Sequence, residues 1–164
     1  MTNILLLSDT HNYMDDRILD YAEKADEIWH AGDIGNLEVA DQLKAVRPLR
    51  AVYGNIDNSE IREEYPLNQI FEVEGVKVFL THIGGYPGRY SARVKSILLE
   101  EKPKLYICGH SHILKVMHDK KLNVLHMNPG AAGNVGMHYV RTMLRFQLNQ
   151  SKIENLEVIE LGKR

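Results

Sequence analysis

Short apolar runs alternate with amphipathic stretches through the first half of the chain and give way to paired apolar runs in the second. Residues 3–7 form an apolar run that stops at Ser8, Asp9 and Thr10, the pattern of a buried strand entering a polar turn. The period then changes: Met14, Ile18, Ala22 and Ala25 recur at helical spacing, which predicts an amphipathic helix over about residues 15–25, packed on that strand. Residues 27–31 give a second strand closed by Gly32 and Asp33. Leu37, Ala40 and Leu43 mark a short helix stopped before Pro48, because a proline pushes its preceding residue out of helical backbone. Residues 49–53 give a third strand, ending in Gly54, Asn55, Ile56, Asp57 and Asn58, residue types that favour irregular backbone.

Residues 70–73 and 76–81 flank Glu74-Gly75, the signature of a tight hairpin, so the strand-helix alternation breaks and a mixed sheet is implied. After a glycine-rich loop at 84–88, Ser91 is placed to cap a helix that turns Val94, Ile97 and Leu98 inward and ends at Pro103. Residues 105–108 form the next strand. The remainder reads as β: residues 113–118, 124–127, 143–148 and 153–159, with turns near 119–121 and 149–152. No repeat, low-complexity segment or linker marks a second unit, so residues 1–164 are read as one α/β domain.

Composition narrows the function classes. An apolar fraction of 44% over 164 residues suffices for a sizeable core. The 20 basic and 22 acidic side chains nearly cancel, which argues against an extended nucleic-acid surface and against a membrane-binding face. Lys102, Lys104, Lys115, Lys120 and Lys121 cluster locally and read as a solvated face. One cysteine, Cys108, excludes an intramolecular disulfide and points to a reducing, cytoplasmic setting. No apolar run is long enough for a signal-peptide core or a membrane span.

The chemistry concentrates in five turns, each following an expected strand: Asp9 with His11, Asp33, Asn55, His82, and His110 with His112. In an open α/β sheet the loops beyond the carboxyl ends of the strands converge on one crevice, so groups far apart in sequence meet there. These seven oxygen and nitrogen donors exceed what one tetrahedral zinc takes up, but suit two adjacent cations sharing a carboxylate, with Asp33 the candidate bridge. Asp-x-His and His-x-His are expected to send both side chains to one side of extended backbone, where side chains alternate with period two. Taken singly, each position has an ordinary structural explanation; the compound pattern carries the metal reading.

Asp9-Thr10-His11, Gly32-Asp33, Gly54-Asn55-Ile56-Asp57, Thr81-His82 and Gly109-His110-Ser111-His112 resemble the calcineurin-like metallophosphoesterase superfamily. The short length and Asn128-Pro129-Gly130 resemble its small bacterial and archaeal phosphodiesterases, related to the retromer scaffold subunit. The resemblance implies a four-layer α/β/β/α sandwich with two mixed β-sheets. It further implies that Asp9, His11 and His112 hold a first ion, that Asn55, His82 and His110 hold a second, and that Asp33 bridges them. Manganese is the expected metal, with zinc, iron, nickel or cobalt as alternatives. Asp33, Asn55 and His110 are the expected catalytic residues, and water activated between two cations is the expected nucleophile.

Ile56 departs from larger relatives, which carry there a histidine that binds substrate or protonates the leaving oxygen. Its replacement tilts the expectation from a monoester to a small phosphodiester substrate. Ile83 after His82 is a second departure. Tyr86, Arg89 and Tyr90 are candidates to line the substrate pocket, with Arg89 pairing a phosphate oxygen. His30 is expected to orient a ligand, Asp57 to shape its turn or support a ligand, and His138 to serve as a proton donor. His118 and His126 are read as structural, and Cys108 as facing the core. The rival readings are a phosphomonoesterase or nucleotidase on the same site and a non-catalytic metal-binding scaffold. Relatives also suggest a homo-oligomer, which no feature of this sequence decides.

Overall fold

The computed structural model describes residues 1–164. In chain order its elements are β1 (Thr2–Leu7), α1 (Asp16–Glu23), β2 (Glu27–His30), α2 (Leu37–Val46), β3 (Leu49–Ala51), α3 (Ser59–Glu64), β4 (Asn68–Val73) and β5 (Val76–Thr81). They continue with α4 (Ala92–Glu101), β6 (Leu105–Ile107), β7 (Leu114–Asp119), β8 (Val124–Pro129), β9 (Val140–Asn149) and β10 (Lys152–Lys163). One sheet has the order β10-β9-β1-β2-β3 and the other β4-β5-β6-β8-β7. Both are mixed: β1, β2 and β3 run parallel while β9 is antiparallel to β1, and β5, β6 and β8 run parallel while β4 and β7 are antiparallel to their neighbours.

Side-chain alternation along the strands sets the layers. On β1, Leu5 and Leu7 pack toward the helices with Ile18, Ala22 and Leu43. Ile4 and Leu6 face the other way, into a core between the sheets with Trp29, Val78, Leu80, Ile107 and Phe146. On the far side of the second sheet, Phe79 and Tyr106 meet Val94 and Leu98 of α4. Three apolar layers thus separate four layers of secondary structure in the order α/β/β/α. Each fully buried Leu or Ile contributes roughly 1.5–3 kcal/mol relative to exposure. A one-residue slip of β1 would exchange its two sets of contacts and lose both. No helix is long and apolar enough to cross a membrane.

Local chemistry accounts for the element ends. Asp15, Asn36, Asn58 and Ser91 cap the four helices, each side chain accepting the amide of the third residue beyond it. In the β4-β5 hairpin Glu74 and Gly75 have φ of 52° and 76°, as a two-residue type I′ turn requires. The sequence reading omits α3, whose six residues bury only Ile61, and it starts β9 three residues late.

Candidate metal centre

The candidate ligands stand on the loops that leave the carboxyl ends of β1, β2, β3, β5 and β6. The parallel strands of each sheet deliver these ends to one edge. The β1 loop is laced onto the β2 loop by Asp9 N–H to Gly32 O (2.9 Å), His11 N–H to Asp33 O (3.1 Å) and Asn12 N–H to Ile34 O (3.1 Å). Gly109 N–H donates to His82 O at 3.0 Å and joins the β5 and β6 loops in the same way.

Extended backbone does not orient the paired ligands. Asp9, His11, Asp33, His110 and His112 all have positive φ, between 45° and 70°. Left-handed backbone costs a non-glycine residue roughly 1–2 kcal/mol, although aspartate and histidine tolerate it better than most residues. Such turns aim consecutive functional groups inward by bending the chain, and the lacing across loops holds them. Close approach also demands glycine at two points. A Cβ on Gly54 would fall 2.1 Å from Asp33 Oδ1, and one on Gly109 would fall 2.1 Å from Ser8 Oγ and 2.8 Å from Asp9 Oδ2.

Two donor groups result. Asp9, His11 and His112 form one, and Asp33, His82 and His110 the other, with ligand atoms within 4.8 Å of each other in each group. Asp33 Oδ2 lies 3.3 Å from His11 Nε2 and 3.2 Å from His82 Nε2, so one carboxylate oxygen touches both groups. Asp9 Oδ1 lies 3.2 Å from His112 Nε2 and 3.7 Å from His11 Nε2. Asn55 Oδ1 sits 3.1 Å from His82 Nε2 and 3.0 Å from His110 Nδ1, which adds a fourth side chain around the second group. All seven expected ligands therefore converge.

The donor set fits divalent cations on a further ground. Asp9 Oδ1 and His11 Nε2 are buried with no hydrogen-bond partner, a costly condition for polar atoms unless something coordinates them. The other Asp9 oxygen is occupied, accepting from Ser8 Oγ at 2.6 Å and from His110 N–H at 3.1 Å. His82 Nδ1 contacts Ala31 O at 2.7 Å; as the donor there, the ring keeps its Nε2 lone pair for the centre.

Burial acts to raise the carboxyls of Asp9 and Asp33, but the neighbouring imidazoles overcome it and hold both well below the usual carboxylate range. Reciprocally, Asp33 and then Asp9 push His11 up to about 9. Without metal, protons therefore occupy positions that cations would otherwise take.

The remaining candidates separate by position. His30 is fully buried, and burial lowers its pKa to about 4. As a neutral ring it accepts Gly32 N–H at Nδ1 (3.1 Å) and donates from Nε2 to Thr10 Oγ1 (3.0 Å), whose own proton goes to Ile34 O (2.9 Å). It thus fixes the β1 and β2 loops without touching a candidate ligand atom. Asp57 accepts from Gly54 N–H (2.7 Å), Ile34 N–H (3.2 Å) and Gly35 N–H (2.8 Å), tying the Asn55 turn to the Asp33 turn.

His138 packs edge-on to His112, with ring centroids 5.2 Å apart. Burial lowers its pKa and favours the neutral ring, whose Nε2 contacts Gly133 O at 2.8 Å. Donation there leaves Nδ1 an acceptor, which argues against proton delivery. Arg89 is exposed and lines neither the cavity beside His110 nor that beside Asn55, so the expected phosphate pairing has no geometric support. Tyr90 is committed to Asp119 at 2.7 Å, whereas Tyr86 does line the cavity beside His110. Cys108 is buried against the α4 layer, and burial pushes its thiol up to about 11.

Two supporting groups escaped the sequence reading. Asn128, within the quoted Asn128-Pro129-Gly130, donates to Gly109 O (3.0 Å) and Ser111 Oγ (3.1 Å), bracing the turn that carries His110 and His112. Ser8 was visible only as the end of a strand, because a bond to an adjacent carboxylate has no spacing signature.

A four-layer sandwich with two histidine-carboxylate groups at its strand ends defines a metal-dependent phosphoesterase. Residues 2–151 match the family model of the calcineurin-like phosphoesterase superfamily domain, and the chain belongs to that superfamily. It is 28% identical over 133 residues to a probable metallophosphoesterase of Methanothermobacter thermautotrophicus, covering 77% of this chain and 74% of that one. Among solved structures it resembles wild-type Vps29 complexed with zinc from Entamoeba histolytica, with TM-score 0.74 and 16% identity over 96% of this chain and 98% of that one. It also resembles an archaeal phosphodiesterase, with TM-score 0.72 and 21% identity over 97% and 99% of the two chains. At these identities the structural likenesses establish the fold alone.

Proposed function

We propose that this protein is a dinuclear metal-dependent phosphodiesterase acting on a small phosphodiester. Asp9, His11 and His112 would hold one divalent ion, Asn55, His82 and His110 a second, and Asp33 both. The observation that carries the reading is Asp33 Oδ2, in contact with one imidazole of each group. Two such ions, when bound, supply positive charge for the phosphoryl oxygens and lower the pKa of water to make a nucleophile at neutral pH.

The chain's own residues do the rest. Left-handed turns and cross-loop hydrogen bonds preset the ligands, so little reorganisation accompanies charge build-up in the transition state. Asn55 and His110 stand at the rim of the second group, where a substrate enters. Ile56, 44% exposed, offers no proton to a leaving oxygen, and this supports diesters with good leaving groups over monoesters. Manganese is the ion that the family resemblance favours, while the mixed oxygen and imidazole donors suit zinc, iron, nickel or cobalt as well, and the single buried Cys108 supports a reducing, cytoplasmic setting.

The test compares bis-p-nitrophenyl phosphate with p-nitrophenyl phosphate on manganese-loaded protein. The diester is expected to have the higher kcat/KM. A clear monoester preference would overturn the diester assignment while leaving the metal centre standing; no turnover of either ester with any ion would favour the scaffold reading.

A further inference from the structure

Two cavities flank the second donor group, and they differ in character. The one beside His110, about 150 Å³, is walled by Ile83, Tyr86, Cys108 and Ile113, with Lys115 Nζ 4.0 Å over the Tyr86 ring. The one beside Asn55 and His82, about 420 Å³, is lined by Tyr53, Leu67 and Ser91 and carries two arginines, Arg62 and Arg93. Neither arginine has a carboxylate within 4.0 Å, so neither charge is locally neutralised.

Both guanidinium groups are nevertheless held in place. Arg93, in the first turn of α4, donates to Asn68 Oδ1 (2.7 Å), Thr81 Oγ1 (3.1 Å) and Ile83 O (2.7 Å). Arg62 donates to Asp57 O (2.7 Å) and Asn55 O (3.3 Å) and lies over the Tyr53 ring at 4.7 Å. A guanidinium has five N–H donors, so each retains unused donors after these bonds. A fixed, uncompensated fork with spare donors is the arrangement that recognises phosphate or carboxylate, and it loses less side-chain entropy on binding than a free one. The chain's overall charge of −2 makes such a local pair of cations a directional feature rather than part of a general basic surface.

We infer that Arg62 and Arg93 form a second anion subsite, so that the substrate is a phosphodiester bearing a further anionic group, a terminal phosphate, beside the scissile linkage. The inference rests on the phosphodiesterase reading and names the substrate class for it. The scissile phosphate lies at the donor groups, the second phosphate in the arginine cavity, and an uncharged flat group in the cavity walled by Tyr86.

The test uses thymidine dinucleotides with no terminal phosphate, a 5′ phosphate or a 3′ phosphate, on manganese-loaded wild type and the R62Q/R93Q double variant. Wild type is expected to prefer one phosphorylated dinucleotide by about tenfold or more in kcat/KM, through KM, because each charge-assisted bond to the second phosphate forms on binding. The double variant is expected to lose that preference. Equal kcat/KM on all three in wild type, or a preference kept by the variant, would overturn the subsite.

Equilibrium dialysis of metal-free protein against labelled inorganic pyrophosphate separates the two claims. Binding by wild type that weakens in the variant supports the subsite even if no diester is hydrolysed, and equal binding by both overturns it. The single R62Q and R93Q variants, checked by circular dichroism, serve if the double variant does not fold.

Discussion

Asp33 and His11 show how much one side chain carries in this centre. Asp33 Oδ2 contacts imidazoles of both donor groups, and its Oδ1 accepts Ile56 N–H at 3.1 Å. Asp33→Ala should therefore lower metal-restored turnover by about 10³-fold or more, of the order seen when a principal electrostatic element is lost, and kinetics of the reloaded variant checks this. His11 sets a pH dependence. Its pKa is raised to about 9 in the metal-free fold, so it contributes stability that is complete below its ordinary value of 6.5 and is lost as pH rises through about 9.

Metal binding must expel that proton, so affinity should rise by up to about tenfold per pH unit below pH 9. Calorimetry in buffers of different ionisation enthalpy would report the released proton, and a pH-independent affinity would contradict the role of His11. The seven side chains that converge here were legible in the sequence as candidate ligands because residue type and placement after apolar runs both survive in a one-dimensional reading. Their left-handed backbone was not: Asp-x-His fits strand alternation and a pair of turns equally well, and only the lacing between distant loops decides.

Loops rather than strands hold the ligands in register, and Asp57 and Asn128 are their braces. Asp57→Ala would strand three amide donors between the β2 and β3 loops, a loss of about 3 kcal/mol after water enters. For a chain of this size that is a fall of roughly 6–12 °C in melting temperature, measurable by calorimetry; an unchanged melting point would show the bridge to be dispensable. Ser91→Ala should cost only about 1 kcal/mol, because it removes one cap from α4.

Most strands and three of the four helices follow from periodicity and caps. Helix α3 does not, since six residues with one buried side chain, Ile61, give too few turns for a period to appear. The antiparallel pairing of β1 with β9, from opposite ends of the chain, was equally hidden, because strand order depends on contacts that no stretch of sequence displays.

At the scale of the whole molecule, the sandwich stacks two sheets face to face so that the loops at the carboxyl ends of their parallel strands close one centre. Binding at that centre is then coupled to global stability. Ion at about a hundred times its dissociation constant should add about 2.7 kcal/mol, which a chelator should remove and Asp33→Ala should abolish. Ile56→His tests the substrate assignment at the same scale: it should raise monoester relative to diester hydrolysis, and an unchanged ratio would show that position 56 does not set it.

The shared carboxylate is the central claim, and electron paramagnetic resonance of the manganese-titrated protein tests it most directly. Two ions per chain with a spin-coupled signal, replaced in Asp33→Ala by weak binding with the signal of isolated ions, is the result expected. A single ion per chain, or two uncoupled ions in wild type, would contradict it.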